Sequence, residues 1–93
     1  MQTKFIKIRF NLHCIQLGSD YRIYVNEEMF TERTYNIPSP GYYKEMLQVE
    51  ALPGRYTIRI EAVDSIITDF ILSETYISYG EGTVHSTTEF EIL

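Results

Sequence analysis

The chain has 93 residues, with hydrophobic residues at 44% and a formal charge of −5. That length suits a single modest core, residues 1–93 as one domain, and the composition excludes the polar, highly charged class that stays disordered. All the lysines and arginines lie in residues 1–59, while residues 60–93 carry only acids. No dense basic face is in prospect for nucleic acid, and the asymmetry suits a basic side meeting the acidic side of a neighbour.

"KFIKIRFNLHC" alternates strictly, with Ile6, Ile8, Phe10, Leu12 and Cys14 on one face and Lys7, Arg9, Asn11 and His13 on the other. This is the pattern of a half-buried strand. "LGSD" then breaks it as a turn. "YRIYVNEEMFTERTYNI" reads as a hairpin reversing at Asn26 and Glu27. Asparagine tolerates the positive φ of a two-residue turn; glutamate in second place is poorer than glycine, so a bulge or a longer loop is an alternative. The prolines of "PSPG" at 38–41 exclude a central strand.

"YYKEMLQVEA" resumes alternation through Tyr43, Leu47, Val49 and Ala51, and "LPG" turns the chain. "RYTIRIEAV" follows with Tyr56, Ile58, Ile60 and Ala62 inward. A phosphate cradle needs its glycines to run into a helix N-terminus. Pro53 and Gly54 run into a strand, so they form a corner, expected as a type II turn. "DSIITD" connects to "FILSETYISY" and "TVHSTTEFEIL", which "GEG" separates. No stretch carries a capped helical stripe.

Seven short strands with turn signals every 8–12 residues predict an all-β fold, a seven-stranded antiparallel β-sandwich of immunoglobulin-like type. A small closed barrel is the competing architecture. No apolar run reaches the roughly 20 residues of a membrane span. The N-terminus lacks the unbroken apolar segment of a signal peptide. The expected setting is therefore without export or membrane.

Cys14 is the one cysteine, which excludes an internal disulfide and a cysteine-based zinc site. It falls on the apolar face, where a thiol behaves as a small hydrophobe. His13 and His85, the only histidines, fall on polar faces, so no nucleophile, base and orienting group converge. Glu27 with Glu28, and Glu89 with Glu91, are exposed pairs with nothing to raise a pKa for acid catalysis. The reading is that the chain is not an enzyme and holds no cofactor. Asp64 and Asp69, bracketing a loop with Asp20, Glu74 and Glu81 within conceivable reach, offer oxygen ligands for calcium, although hand-type calcium-loop spacing is missing.

Tyrosine presents a rigid face with a polar tip and is enriched at interfaces. Tyr24 lies on an outer face beside Arg22, while Tyr35, Tyr42 and Tyr43 flank the loop at 36–43. These tyrosines are the candidate partner-binding residues. The bland alternative puts Tyr35, Tyr43 and Tyr56 in the core and leaves only Tyr24 and Tyr42 exposed.

"YRIYVNEEMFTERTY" followed by "YYKEMLQVEALPGRYTIRI" resembles small single-domain proteins encoded by tailed phages, notably those of cyanobacteria. The likeness covers about 21–63, and "FTERT" is its most specific piece. It implies an accessory structural role in a virion, or in the host cytoplasm before assembly, with no catalytic residues. The expected partners are other protein subunits, a second copy of the chain among them. Separately, "IYVNEEMF" and "LPGRYTIRIEAVD" look like parts of calcium-dependent carbohydrate-binding modules of the sandwich type. The region that follows, "DSIITDFILSETYI", keeps acids but lacks that family's asparagines and arginine around the metal. This second likeness implies a glycan ligand.

Overall fold

The computed structural model describes residues 2–14, 20–35, 41–63 and 70–93. It is all-β, with antiparallel pairing throughout. The strands are β1 (Lys4–Cys14), β2 (Asp20–Val25), β3 (Glu28–Thr34), β4 (Tyr43–Ala51), β5 (Gly54–Ala62), β6 (Phe70–Tyr79), β7 (Gly82–Ser86) and β8 (Glu89–Ile92). They form a three-stranded sheet, β4-β1-β6, and a five-stranded sheet, β3-β2-β5-β8-β7. Among the described residues no ladder joins the sheets, an arrangement that fits a β-sandwich.

The structure has eight strands where the sequence pattern counts seven. The last stretch breaks at Thr87 and Thr88, which turn the chain so that β8 folds back on β7. The signal is weak because threonine is itself a good strand residue.

Alternation does the rest. Ile6, Ile8, Phe10, Leu12 and Cys14 of β1, with Leu47 and Val49 of β4, form the inner face of one sheet. Tyr21 and Ile23 of β2, Ile58 of β5, and Phe90 and Ile92 of β8 face them from the other. The Tyr56 ring stacks on Phe90 at 5.5 Å, and Tyr21 packs on Phe70 at 5.0 Å. A buried side chain of this size is worth about 1.5–3 kcal/mol relative to its exposed state. Cys14 is in this core, as its parity predicts.

The turn at Asn26 and Glu27 has φ of 51° and 67°, the conformation of a tight hairpin reversal. The reversal is thus the two-residue turn and not the longer loop, and a register shift falls higher in the hairpin, between Ile23 and Tyr24. Two contacts offset the cost of glutamate in the left-handed region. Asn26 Oδ1 accepts from the Thr57 amide at 2.8 Å, and Glu27 pairs with Arg59 at 2.9 Å.

Gly54 differs from expectation. Its φ of 150° is positive but well past the roughly 80° of a type II turn, and it already pairs with Ile92 at the start of β5. The corner is braced by Tyr56 Oη, which donates to the Leu52 carbonyl. Most of the expected turn "LGSD" and of the expected loop "PSPG" lies outside the described residues, as does the proposed calcium pair Asp64 and Asp69.

Candidate binding face

Strand β1 is central in its sheet, so residue pairing decides what surrounds its outer side chains. Arg9 is opposite Met46 on β4 and Tyr76 on β6, while Asn11 is opposite Lys44 and Ser73. Directly opposed residues project to the same face. The outer face therefore brings together Arg9, Asn11, Lys44 and Tyr76, with Tyr42 just before β4 on the parity of Lys44.

The pairing of β1 with β6 slips between Arg9 and Asn11. Glu74 takes up the slack with φ of 51°, an uncommon state for a residue with a side chain. The bulge aims its carboxylate across the sheet, where Glu74 Oε2 accepts from Asn11 Nδ2 at 3.0 Å. The result is a groove of about 180 Å³ lined by Arg9, Asn11, Tyr42, Lys44, Glu74 and Tyr76. Its tyrosines are exposed, Tyr42 at 50% and Tyr76 at 53%.

Charge on this face is open. Arg9 Nε donates to Ser78 Oγ at 3.2 Å, and Lys7 Nζ lies 5.5 Å from the centre of the Tyr79 ring. Among the described residues no carboxylate pairs with Lys7, Arg9 or Lys44. Beyond Lys7, Phe5 meets Tyr79 edge-on at 5.7 Å, extending the aromatic surface.

Beneath the face lies a buried polar cluster. Glu45 is 2% exposed, on the inward parity between Tyr43 and Leu47. Tyr21 Oη donates to its Oε2 at 3.1 Å and the Met46 amide to its Oε1 at 3.3 Å. Arg33 Nε, itself buried, sits 3.1 Å from Oε1, close enough for an ion pair but not aligned for a hydrogen bond. Burial pushes the Glu45 carboxyl above its ordinary value; Arg33, Tyr21 and the Met46 amide pull it part of the way back. Burial likewise raises the Tyr21 phenol, and the Glu45 charge adds to the effect. The cluster ties β4 to β2 and β3, and so one sheet to the other.

Next to it, His13 Nδ1 donates to the Gly41 carbonyl at 3.0 Å, and Tyr35 Oη donates to the same oxygen at 3.2 Å. A carbonyl only accepts, so His13 carries its hydrogen on Nδ1 in this contact. The two donors pin the chain one residue before Tyr42 and so position a wall of the groove.

The tyrosines singled out from the sequence are thereby separated. Tyr35 is 1% exposed and packs on Phe70 at 6.5 Å, in keeping with the core alternative. Tyr43 is 40% exposed at the rim, against that alternative. Tyr24 lies on the other sheet under Arg59, whose guanidinium carbon is 4.2 Å from the ring centre. Tyr42 alone lines the groove. Arg9, Asn11, Lys44 and Tyr76 were absent from the sequence-based set, and Glu74 was in it only as an oxygen ligand within conceivable reach of calcium. Their outward parity is legible, but their proximity depends on which strands flank β1. Glu45 had a plain signal, a carboxylate on an apolar parity.

Other groups with possible chemistry are engaged elsewhere. His85 Nε2 lies 2.9 Å from Glu91 Oε1, and Cys14 is in the core. Among the described residues no three or more His, Cys, Asp or Glu side chains group as metal ligands, and no helix is long and apolar enough to cross a membrane. Comparison with protein-family models, curated proteins and solved structures finds no match.

Proposed function

We propose that this chain is a non-enzymatic interaction domain that docks through the outer face of the β4-β1-β6 sheet. One observation carries the reading. That face exposes Tyr42, Tyr76 and Tyr79 beside Lys7, Arg9 and Lys44, cations that no carboxylate neutralises among the described residues. Tyrosine and arginine are the residue types enriched where proteins meet partners. The buried thiol and the engaged imidazoles support a binding role over a catalytic one.

The setting we propose is a tailed-phage particle or the host cytoplasm before assembly, on the strength of the resemblance at 21–63. The frame is immunoglobulin-like in the broad sense of two antiparallel sheets. Two antiparallel sheets are all it shares with that type, since its order, with β1 between β4 and β6, differs from the constant-type order in which the first two strands pair. The alternative, calcium-dependent glycan binding, rests on the likeness of "IYVNEEMF" and "LPGRYTIRIEAVD" to such modules, and its calcium pair Asp64 and Asp69 lies outside the described residues.

The test is site-specific photo-cross-linking. A benzophenone amino acid in place of Tyr42 or Tyr76, in the full chain in its native setting, is expected to give a defined adduct. The same substitution at Tyr24 is expected to give none. Adducts from Tyr24 alone, or equally from both faces, overturn the reading.

A further inference from the structure

We propose that the groove over β1 binds an acidic saccharide, a carboxylate-bearing pyranose within a chain lying across the sheet. The proposal rests on the reading of this face as the docking surface and assigns the chemistry of what docks.

The groove over β1 offers no free backbone edge. An extended peptide commonly docks by adding a strand to a sheet edge, using backbone donors and acceptors. Strand β1 is central, and its ladders on both sides are taken by β4 and β6. Recognition here must come from side chains alone. Those present match a sugar ring. Tyr42 and Tyr76 are exposed rings at the groove, suited to stacking on the apolar C–H face of a pyranose. Asn11 and Glu74 are held together at 3.0 Å, a planar amide and a carboxylate able to donate to and accept from neighbouring hydroxyls.

Charge selects the kind of sugar. Arg9 and Lys44 line the same groove with no carboxylate partner among the described residues. A guanidinium fork takes a carboxylate in bidentate fashion. A neutral sugar would leave both cations unused. A polyphosphate would offer no apolar C–H face for Tyr42 and Tyr76 to stack on. The volume of about 180 Å³ is below the roughly 300–1,000 Å³ of sites that engulf a drug-sized ligand, as fits one ring of a longer chain.

Glu74 strengthens the case for a built site. A side chain held at φ of 51° in mid-strand costs stability, and such states persist where the surroundings over-determine them. Here the bulge lies between the Arg9–Tyr76 and Asn11–Ser73 pairs and sets the carboxylate on Asn11.

The test is calorimetry of the full chain with tri-galacturonate, neutral galactotriose, a glutamate-rich peptide and a single-stranded oligonucleotide, each with and without chelator. Tri-galacturonate is expected to bind, and chelator to leave its affinity unchanged. Tyr76→Ala and the pair Arg9→Ala with Lys44→Ala are each expected to weaken it by about tenfold or more. Arg22→Ala on the opposite face is expected to leave it within about twofold. The substituted side chains are exposed, and each variant is checked by thermal unfolding. Absence of tri-galacturonate binding at millimolar concentration overturns the proposal, as do equal affinity for the neutral sugar, preference for peptide or oligonucleotide, and loss on chelation. Should cross-links still arise from Tyr42 and Tyr76 while tri-galacturonate does not bind, the ligand assignment fails and the docking face stands. If neither is seen, both fail.

Discussion

On the outer face of the five-stranded sheet, Arg22 meets Glu32 at 2.8 Å, Arg55 meets Glu89 at 3.1 Å, and Arg59 meets both Glu27 and Glu61. On the outer face of the three-stranded sheet, Lys7, Arg9 and Lys44 meet no carboxylate among the described residues, and tyrosines stand between them. The difference comes from strand neighbours. Opposite Arg22 on β3 is Glu32, and opposite Arg55 on β8 is Glu91. Opposite Lys7 and Arg9 are Gln48, Met46, Tyr79 and Tyr76. One face satisfies its own charge and the other presents it outward. Surface ion pairs add little stability, so the five-stranded face is better seen as closed to partners than as reinforced.

The comparison can be broken first at its frame. Gly80 has φ of 88°, and a Cβ there would come 2.5 Å from the Phe5 carbonyl oxygen. Gly80→Ala is expected to cost about 2–4 kcal/mol in urea unfolding and to disturb the Phe5–Tyr79 end of the open face. A neutral outcome would mean that this end is loosely held.

Glu45 comes next, since its cluster joins the two sheets. Glu45→Ala leaves Tyr21 Oη without its acceptor and Arg33 without its counter-charge, and is expected to cost about 2–3 kcal/mol, below the full penalty for a buried pair because Arg33 can reach water. The pH dependence has a definite sign. With its folded pKa above the ordinary 4.5, Glu45 favours folding most when protonated, so its contribution declines as pH rises from about 4.5 through the raised value. Relative to Glu45→Gln, the native chain is expected to gain stability as pH falls from 7 towards 4.5. Paired denaturation curves at several pH values measure this, and a gap that widens in the opposite direction contradicts it.

The smallest stability effects distinguish the faces most sharply. Arg59→Ala removes its ion pairs and its stacking on Tyr24, and is expected to lower the melting temperature by no more than about 5 °C. Arg9→Ala with Lys44→Ala has no ion pair to lose and is expected to leave the melting temperature within about 2 °C while weakening docking. Equal stability losses from the two faces would erase the contrast.

Much of the frame was legible in the sequence. The alternation from Ile6 to Cys14 and from Tyr56 to Ala62 is a local property, and β1 to β6 could each be read from their own residues, while β7 and β8 read as one. The two-residue reversal at Asn26 and Glu27 was legible too. The site was less accessible. Tyr35, Tyr42 and Tyr43 were grouped because they flank one loop, yet parity sends Tyr35 into the core and Tyr42 outward. Arg9, Lys44 and Tyr76 come from three separate strands and meet only because β1 lies between β4 and β6. The bulge at Glu74 carries no glycine to announce it. Glu45 could have been found, since a carboxylate between Tyr43 and Leu47 on an inward parity requires partners.

The central claim, that contact is made by one sheet face and not the other, is tested most directly by hydroxyl-radical footprinting of the full chain, free and in the assembly it forms in its native setting. The account predicts that Tyr42, Tyr76 and Tyr79 lose reactivity on assembly while Tyr24 and His85 keep theirs. Protection of Tyr24 and His85 with Tyr42, Tyr76 and Tyr79 unchanged would contradict it.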